Sequence, residues 1–222
     1  IHKLNGHYLD TKHPIITENL LGIKRSKGTY QKAKKPILIN DLKLIINVIN
    51  QDKKQNLRIK NKALILIGFA GGFRRSELVE INYEDIEFVS EGVKIFVKKS
   101  KTDQSGEGMT KGIPYFSNRN YCPVVSLKNW ITQGQIKSGK IFDMSDKNVA
   151  LIIKKYASLA GLDKDKYSGH SLRSGFATST AELGAEERSI MAMTGHKTTQ
   201  MVRRYIKEAN IFKNNALNKI KI

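Results

Sequence analysis

Apolar residues recur at helical spacing along most of the chain. Between residues 42 and 49 this spacing predicts a helix that runs to residue 50, with Asn40 as a candidate cap. A more continuous apolar stretch at 57–70 predicts a buried helix that Gly71-Gly72 ends. Further helices are predicted to open at Ser76-Glu77-Leu78 and to cover about 124–134, 146–160, 170–183, 186–193, 198–206 and 209–222.

The apolar spacing shortens to every second residue near the middle of the chain. Residues 86–89 and 93–97 alternate around the turn Ser90-Glu91-Gly92, which predicts a β-hairpin. A third strand near 111–115 would complete a small sheet. The predicted fold class is therefore α+β, mostly α-helical, with one small three-stranded sheet.

The net positive charge of the chain predicts an anionic partner. The formal net charge is +19, which makes nucleic acid the first candidate, and the lysine excess suits phosphate contacts. A lysine-rich proteome from an AT-rich genome would give a similar composition. Six basic residues without an acid predict either an interdomain linker that follows a phosphate backbone or a solvated loop; they are Lys24, Arg25, Lys27, Lys32, Lys34 and Lys35.

Several classes of protein are excluded or disfavoured. The single cysteine, Cys122, excludes a disulfide within the chain and a cysteine-based zinc site, and it suits a reducing cytoplasm. The longest apolar run, 63–70, is too short to span a membrane. The first residues do not resemble a secretory signal, and because the chain does not begin with Met we expect a fragment of a longer protein.

Tyr205 is a candidate nucleophile. A phenol is only about 0.1% ionised at neutral pH, so it needs a base or positive neighbours to attack phosphorus. Arg203-Arg204 and Gly195-His196 supply such neighbours in sequence. Without them, an ordinary core or surface tyrosine would be the better interpretation.

Two further motifs carry arginines. His170 and Arg173 are three residues apart and share a face of a helix, and an arginine fork matches two phosphate oxygens. Arg74 follows the Gly71-Gly72 pair, and Glu77 is placed to hold it by an ion pair. Alone, the first motif is more often a capped helix start and the second an ordinary surface pair.

Displacement at a phosphodiester would use these groups together. Each arginine aimed at the non-bridging oxygens would contribute roughly 3–4 kcal/mol to the transition state. The leaving 5′ oxygen needs a proton, which a lysine on a hairpin, such as Lys101, can deliver, although the many lysines leave this choice open. Neither a metal-ligand cluster nor a Gly-rich phosphate loop is apparent, so no cofactor, metal or ATP is expected.

Together these motifs resemble the tyrosine recombinase family, also called the phage integrase family, over about residues 37–212. By resemblance, Arg74 and Arg173 match the catalytic arginines, and Glu77 matches the acidic support of the first. His170 matches the central histidine and Tyr205 the nucleophile. His196 matches a position held by His or Trp, and Lys101 matches the hairpin lysine, with Lys98, Lys99 and Lys111 nearby.

The resemblance also implies an organisation and an activity. Residues 1–25 would be the last part of a helical core-binding domain, 26–36 a basic linker and 37–212 the catalytic domain with a small antiparallel sheet. Residues 213–222 would be a tail that is exchanged between protomers or, alternatively, packs on its own domain. The activity would be site-specific strand exchange through a 3′-phosphotyrosine and a Holliday junction. The partners would be double-stranded DNA with a specific recombination site and a homotetramer, a dimer of dimers.

Other functions stay open at this point. A topoisomerase IB-like enzyme would use the same chemistry, and a non-catalytic DNA-binding regulator would use the same fold. Localisation would be cytoplasmic, in a bacterial or phage-infected cell, and nucleoid-associated. The candidate DNA-contacting residues are Lys24, Arg25, Lys27, Lys34, Lys35, Lys99, Arg75 and Arg204.

Overall fold

The chain divides into two compact units, Ile1–Ala33 and Lys34–Ile222. The computed structural model describes residues 10–28, 33–98, 108–196, 198–209 and 216–220. In the first unit, helix α1 runs over Pro14–Lys27. The helices of the second unit are α2 (Ile39–Asn50), α3 (Gln55–Ala70), α4 (Arg75–Val79), α5 (Pro123–Gln133), α6 (Asp146–Leu159), α7 (Ser171–Glu182), α8 (Glu187–Thr194) and α9 (Thr199–Ala209). Its strands are β1 (Ile86–Phe88), β2 (Gly92–Val97) and β3 (Met109–Pro114), and a 3₁₀ turn covers Ala216–Lys219.

Helix α3 forms the centre of the second unit. Every residue from Ala63 to Ala70 is buried, because this part of the helix is apolar all round and packs against α5 and α7. The helix ends at the Gly71–Gly72 turn, where Gly72 has a φ of 55° in the left-handed region. The core therefore fixes the point at which the chain emerges towards Arg74.

The three strands form one antiparallel sheet in the order β1-β2-β3. This confirms the predicted hairpin and third strand. Val93 and Ile95 on β2 are buried, and they pair with Ile113 and Lys111 on β3. A lysine therefore occupies a core-facing position at which the alternation of a half-buried strand favours an apolar residue.

Helix α7 begins against an extended segment around Ile37. The Ile37 N–H donates to the carbonyl oxygen of Ser171 at 2.9 Å. Gly175 permits this approach, because a Cβ there would lie 2.0 Å from the Ile37 carbonyl oxygen. The contact fixes the N-terminal end of α7, where His170 and Arg173 lie.

The helices of residues 37–209 confirm the sequence predictions to within a few residues, but some details differ. Helix α2 begins at Ile39 and its N-cap is Leu38, so Asn40 is not the cap. Helix α1 continues to Lys27, so the first part of the predicted basic linker is helical. Of the predicted tail helix, the structure describes only a 3₁₀ turn at Ala216–Lys219. No described helix has both the length and the apolar character needed to cross a membrane.

Candidate active site

Arg74 is held at the start of α4 by Glu77. The Glu77 carboxylate is buried and accepts two hydrogen bonds from Arg74, one from the backbone N–H at 2.9 Å and one from Nη1 at 2.5 Å. A charge-assisted pair with a second anchor on the backbone restricts the guanidinium strongly. The predicted ion pair between the two residues is confirmed.

Arg173 lies on the first turn of α7 and is almost fully buried, with 1% of its surface exposed. Its Nη1 donates to the carbonyl oxygen of Gly72 at 2.9 Å. Nε and Nη2 have no hydrogen-bond partner among the residues that the structure describes. Buried donors are normally satisfied, so these two donors point to an anion that the site receives.

Burial lowers the pKa of Arg173 to about 10, with Arg74 adding to the effect, while Glu77 and Tyr205 act in the opposite direction. The guanidinium therefore stays charged at neutral pH. Its charge is also close enough to Arg74 and Tyr205 to act on them. Two cations from sequence-distant motifs thus lie close together, and Arg173 is also close to the phenol.

Tyr205 lies on α9 with its hydroxyl 3.5 Å from Nε2 of His170. Its ring stacks on His196, with ring centroids 6.0 Å apart and an interplanar angle of 30°. Val202, one turn earlier on α9, is fully buried in a small cluster with Ile190 of α8 and two alanines of α7. This cluster fixes the helix that carries the phenol.

His196 follows the Gly195 turn that ends α8, and its protonation pattern can be deduced. The Thr194 hydroxyl donates its only proton to the Ile190 carbonyl oxygen at 2.6 Å. The 2.8 Å contact between Thr194 Oγ1 and His196 Nδ1 must therefore have the ring nitrogen as donor. In the neutral ring, Nε2 of His196 then carries no proton.

Both histidines are held neutral at pH 7. Burial, followed by the charges of Arg173, Arg74 and Arg75, lowers the pKa of His170 below its usual range. Burial and the same two catalytic-site arginines, Arg173 and Arg74, lower the pKa of His196 to about 4. A neutral His170 can accept a proton from the adjacent Tyr205 hydroxyl, which is the activation that a weak phenol nucleophile needs.

The described part of the site contains a lysine other than the predicted Lys101. Lys101 and Lys99 lie outside the described residues, so their predicted roles stay predictions. The structure instead places Lys111 beside these groups, and its Nζ donates to the carbonyl oxygens of Gly71, at 2.8 Å, and Met193. Burial lowers the pKa of Lys111 to about 7, opposed by the charge of Glu77 and assisted by those of Arg173 and Arg74. The sequence feature that could have identified Lys111 is its inward-facing position on a strand, where an apolar residue is expected.

The other predicted DNA-contacting residues are divided between the two units of the chain. Three of them are exposed in the last turn of α1, namely Lys24, Arg25 and Lys27. Lys34 Nζ donates to the Asp165 carbonyl oxygen at 2.6 Å, and Lys35 forms a 3.2 Å ion pair with Asp41. Both lysines therefore attach the start of the second unit to its own surface.

Arg75 and Arg204 are adjacent in sequence to residues of the site. Arg75 forms a long ion pair of 3.7 Å with Asp146 and is partly exposed, and its charge acts on His170. Arg204 is exposed on α9, directly before Tyr205. Among the described residues, no group of three or more His, Cys, Asp and Glu side chains could hold a metal ion.

Known proteins resemble this chain in sequence. An integrase/recombinase xerD homolog of Selenomonas ruminantium is 46% identical over 228 residues, which cover 97% of this chain and 66% of that protein. The tyrosine recombinase XerC of Syntrophus aciditrophicus is 29% identical over 171 residues, which cover 66% of this chain and 48% of that protein. The chain thus spans about half to two thirds of the length of these relatives.

Solved structures show the same fold. The XerA recombinase matches with a TM-score of 0.65 at 16% identity, over 100% of this chain and 88% of that one. XerH in a post-cleavage complex with palindromic difH substrate matches with a TM-score of 0.65 at 18% identity, over 83% of this chain and 54% of that one. A model of the phage integrase family matches residues 37–210, and these residues contain every described member of the site. The chain therefore belongs to the phage integrase family, the tyrosine recombinases.

Proposed function

We propose that this chain contains the catalytic domain of a site-specific DNA recombinase that cleaves and rejoins strands through a 3′-phosphotyrosyl intermediate. The observation that carries the proposal is the Tyr205 hydroxyl 3.5 Å from His170 Nε2, beside the buried Arg173 with two unsatisfied donors. A nucleophile, a base and a cationic site for phosphate oxygens are thus assembled in one place. The names of the relatives, which are integrases and Xer recombinases, support the same activity.

Cleavage would be an in-line displacement at phosphorus. The Tyr205 oxygen forms a bond to phosphorus as its proton passes to His170, and the bond from phosphorus to the 5′ oxygen breaks. Arg74 and Arg173 stabilise the charge on the non-bridging oxygens, at roughly 3–4 kcal/mol each by analogy with other preorganised donors. Lys101 stays the proposed proton donor to the leaving 5′ oxygen. Because the ester bond retains the energy of the phosphodiester, rejoining requires no ATP.

Strand exchange extends this step to two duplexes. A free 5′-hydroxyl of a partner duplex attacks the phosphotyrosine, and a second round resolves a Holliday junction within a tetramer of protomers. We assign residues 37–212 to this catalysis, residues 1–25 to the end of a DNA-clamping domain, 26–36 to the linker and 213–222 to a tail that docks on a neighbouring protomer. The bound DNA in the XerH structures supports a DNA partner for this chain.

A selection for covalent capture tests the proposed cleavage on many candidate target sequences at once. The full-length protein would be mixed with nicked duplexes of randomised sequence, in which cleavage releases a short fragment and prevents rejoining. Captured DNA that resists denaturation would be sequenced, and the linked peptide identified by mass spectrometry. We expect one sequence class, linkage at Tyr205 and a released 5′-hydroxyl end that polynucleotide kinase can label.

Other results of the selection would contradict the proposal. Recovery of bound but never linked DNA would favour the non-catalytic regulator. Linkage without sequence preference, with efficient relaxation of supercoiled DNA, would favour the topoisomerase IB-like enzyme. Linkage through a 5′-phosphate would exclude the proposed polarity.

The pH dependence of cleavage should reflect the lowered pKa of His170. A base with a lowered pKa takes up its inhibiting proton only at lower pH, so His170 stays able to accept the Tyr205 proton below pH 6.5. The second-order rate constant at low DNA concentration reports the free protein, and we expect the fall that follows protonation of His170 to lie below pH 6.5. Single-turnover adduct formation between pH 5 and 8 measures it. A half-maximal rate above pH 6.5 on the acid side of the profile would contradict a lowered pKa of His170.

A further inference from the structure

Lys111 is a buried charge that the cleavage chemistry does not use. It projects inward from β3, with 1% of its surface exposed, and its ammonium lies 4.6 Å from the centroid of the Phe73 ring. Its Nζ donates to the carbonyl oxygens of Gly71 and Met193. Because burying a charge disfavours folding unless the charge is compensated, a lysine at this position requires a reason beyond packing.

The two carbonyls that Lys111 contacts lead to two different catalytic motifs. Gly71 begins the turn that delivers Arg74, and Met193 lies three residues before His196 at the end of α8. The neighbouring carbonyl, that of Gly72, accepts from Arg173 Nη1 at 2.9 Å. Two buried cations thus hold consecutive carbonyls of one turn, and one of them also holds the end of α8.

The turn itself is closely packed at this junction. Gly72 has a left-handed φ of 55°, and a Cβ there would lie 3.0 Å from the Phe176 ring and 3.2 Å from Thr194 Cγ2. The turn therefore lies directly against α7 and the end of α8. A shift of its carbonyls would move Arg74 relative to the histidines and the phenol.

The same geometry argues against Lys111 as the proton donor to the leaving oxygen. Two of the three N–H bonds of an ammonium are used on backbone carbonyls, and the side chain is enclosed. A pKa of about 7 would suit an acid at neutral pH, but burial is its first cause. A pKa suited to acid catalysis does not compensate for an ammonium that is enclosed by protein and bonded to two backbone carbonyls.

We propose that Lys111 is a positioning residue, whose buried ammonium fastens the Gly71–Gly72 turn to the end of α8 and so aligns Arg74 with His196. The inference rests on the proposed DNA cleavage. It gives the two lysines of the β2–β3 region different roles. Lys101 is the proton donor, and Lys111 is a clamp, which holds the Gly71–Gly72 turn and so keeps the phosphate-binding side chains aligned.

Replacement of the scissile linkage distinguishes the two roles. A 5′-bridging phosphorothiolate has a leaving thiolate that needs no proton, and a methylphosphonate has a neutral phosphorus centre that depends less on aligned arginines. On the normal phosphodiester, Lys111→Met should form the covalent adduct about 10- to 100-fold more slowly, the scale expected for misaligned catalytic groups. We expect the same loss on the phosphorothiolate and a several-fold smaller loss on the methylphosphonate.

Two control variants make these ratios interpretable. Lys101→Ala should be slow on the phosphodiester and restored by the phosphorothiolate. Lys94→Met removes an exposed lysine of β2, opposite Gly112. Its rates of adduct formation on the phosphodiester, the phosphorothiolate and the methylphosphonate should have the same ratios as those of the unmodified chain. If Lys111→Met does not fold by circular dichroism, Lys111→Gln, which keeps a donor for one carbonyl, replaces it in the same comparison.

The possible failures are distinct. Restoration of Lys111→Met by the phosphorothiolate would identify Lys111 as the proton donor and overturn the positioning role. A folded variant with an unchanged rate would show that the clamp is not required. The absence of any adduct from the unmodified full-length chain would instead refute the proposed function itself.

Discussion

Replacing Tyr205 with Phe should abolish covalent attachment to DNA while leaving DNA binding and folding nearly unchanged. The substitution removes only the hydroxyl, and loss of a sole nucleophile lowers catalysis by about 10⁴-fold or more in comparable enzymes. The ring can still stack on His196, and Val202 still anchors α9. The hydroxyl contact with His170 is long, at 3.5 Å, so its loss should change the free energy of unfolding by less than about 1 kcal/mol.

Denaturing gels, gel-shift assays and thermal unfolding measure these three properties on one preparation. A matched control is Tyr121→Phe, which removes a phenol hydroxyl that bonds Asn47 at 2.9 Å away from the site. The control should form the adduct at the unmodified rate. An adduct that persists in Tyr205→Phe would assign the nucleophile to another residue, and a large loss of stability would assign a structural role to the hydroxyl.

Sequence alone predicted the parts of this site that depend on local spacing. Arg74 and Glu77 are three residues apart, as are His170 and Arg173, so one helical turn fixes each pair. The glycines at 71 and 72 correctly marked the end of α3. The apolar alternation of β2 likewise predicted the hairpin and its partner strand.

The features that sequence alone missed depend on hydrogen-bond partners and burial, which only the folded structure shows. Lys111 bonds carbonyls 40 and 82 residues away, so its inward-facing position on β3 was a local sign of burial but could not identify these partners. The tautomer of His196 depends on Thr194 and, through it, on Ile190. The full extent of α1 was missed because its exposed apolar residues lack the burial pattern of a core helix and its last turn is basic.

Replacing Arg173 with Met should have the second large effect. We expect adduct formation to become slower without a loss of thermal stability. Loss of one preorganised donor to a developing oxyanion typically lowers the rate about 10²- to 10³-fold. Met has no charge to bury and a similar length, so Arg173→Met should form the adduct at least that much more slowly. Its melting temperature, however, should be unchanged or higher, because the guanidinium is buried with Nε and Nη2 unsatisfied among the described residues.

One lost hydrogen bond opposes this gain in stability. The Gly72 carbonyl loses its 2.9 Å hydrogen bond from Arg173, which should lower the free energy of unfolding by about 1–3 kcal/mol. Burial lowers the pKa of Arg173 to about 10, which shows that the charged form is penalised in the folded chain, and removal of that penalty offsets the lost bond.

Arg188→Met, on the exposed side of α8, removes one positive charge without these effects and should retain both rate and stability. Unfolding of Arg173→Met would show that the guanidinium is needed for the core, whereas a folded variant with a normal rate would place it outside the reaction. A rate loss that diminishes on a methylphosphonate substrate would connect the buried charge directly to the phosphate oxygens, because a neutral phosphorus centre has less negative charge for the arginine to stabilise.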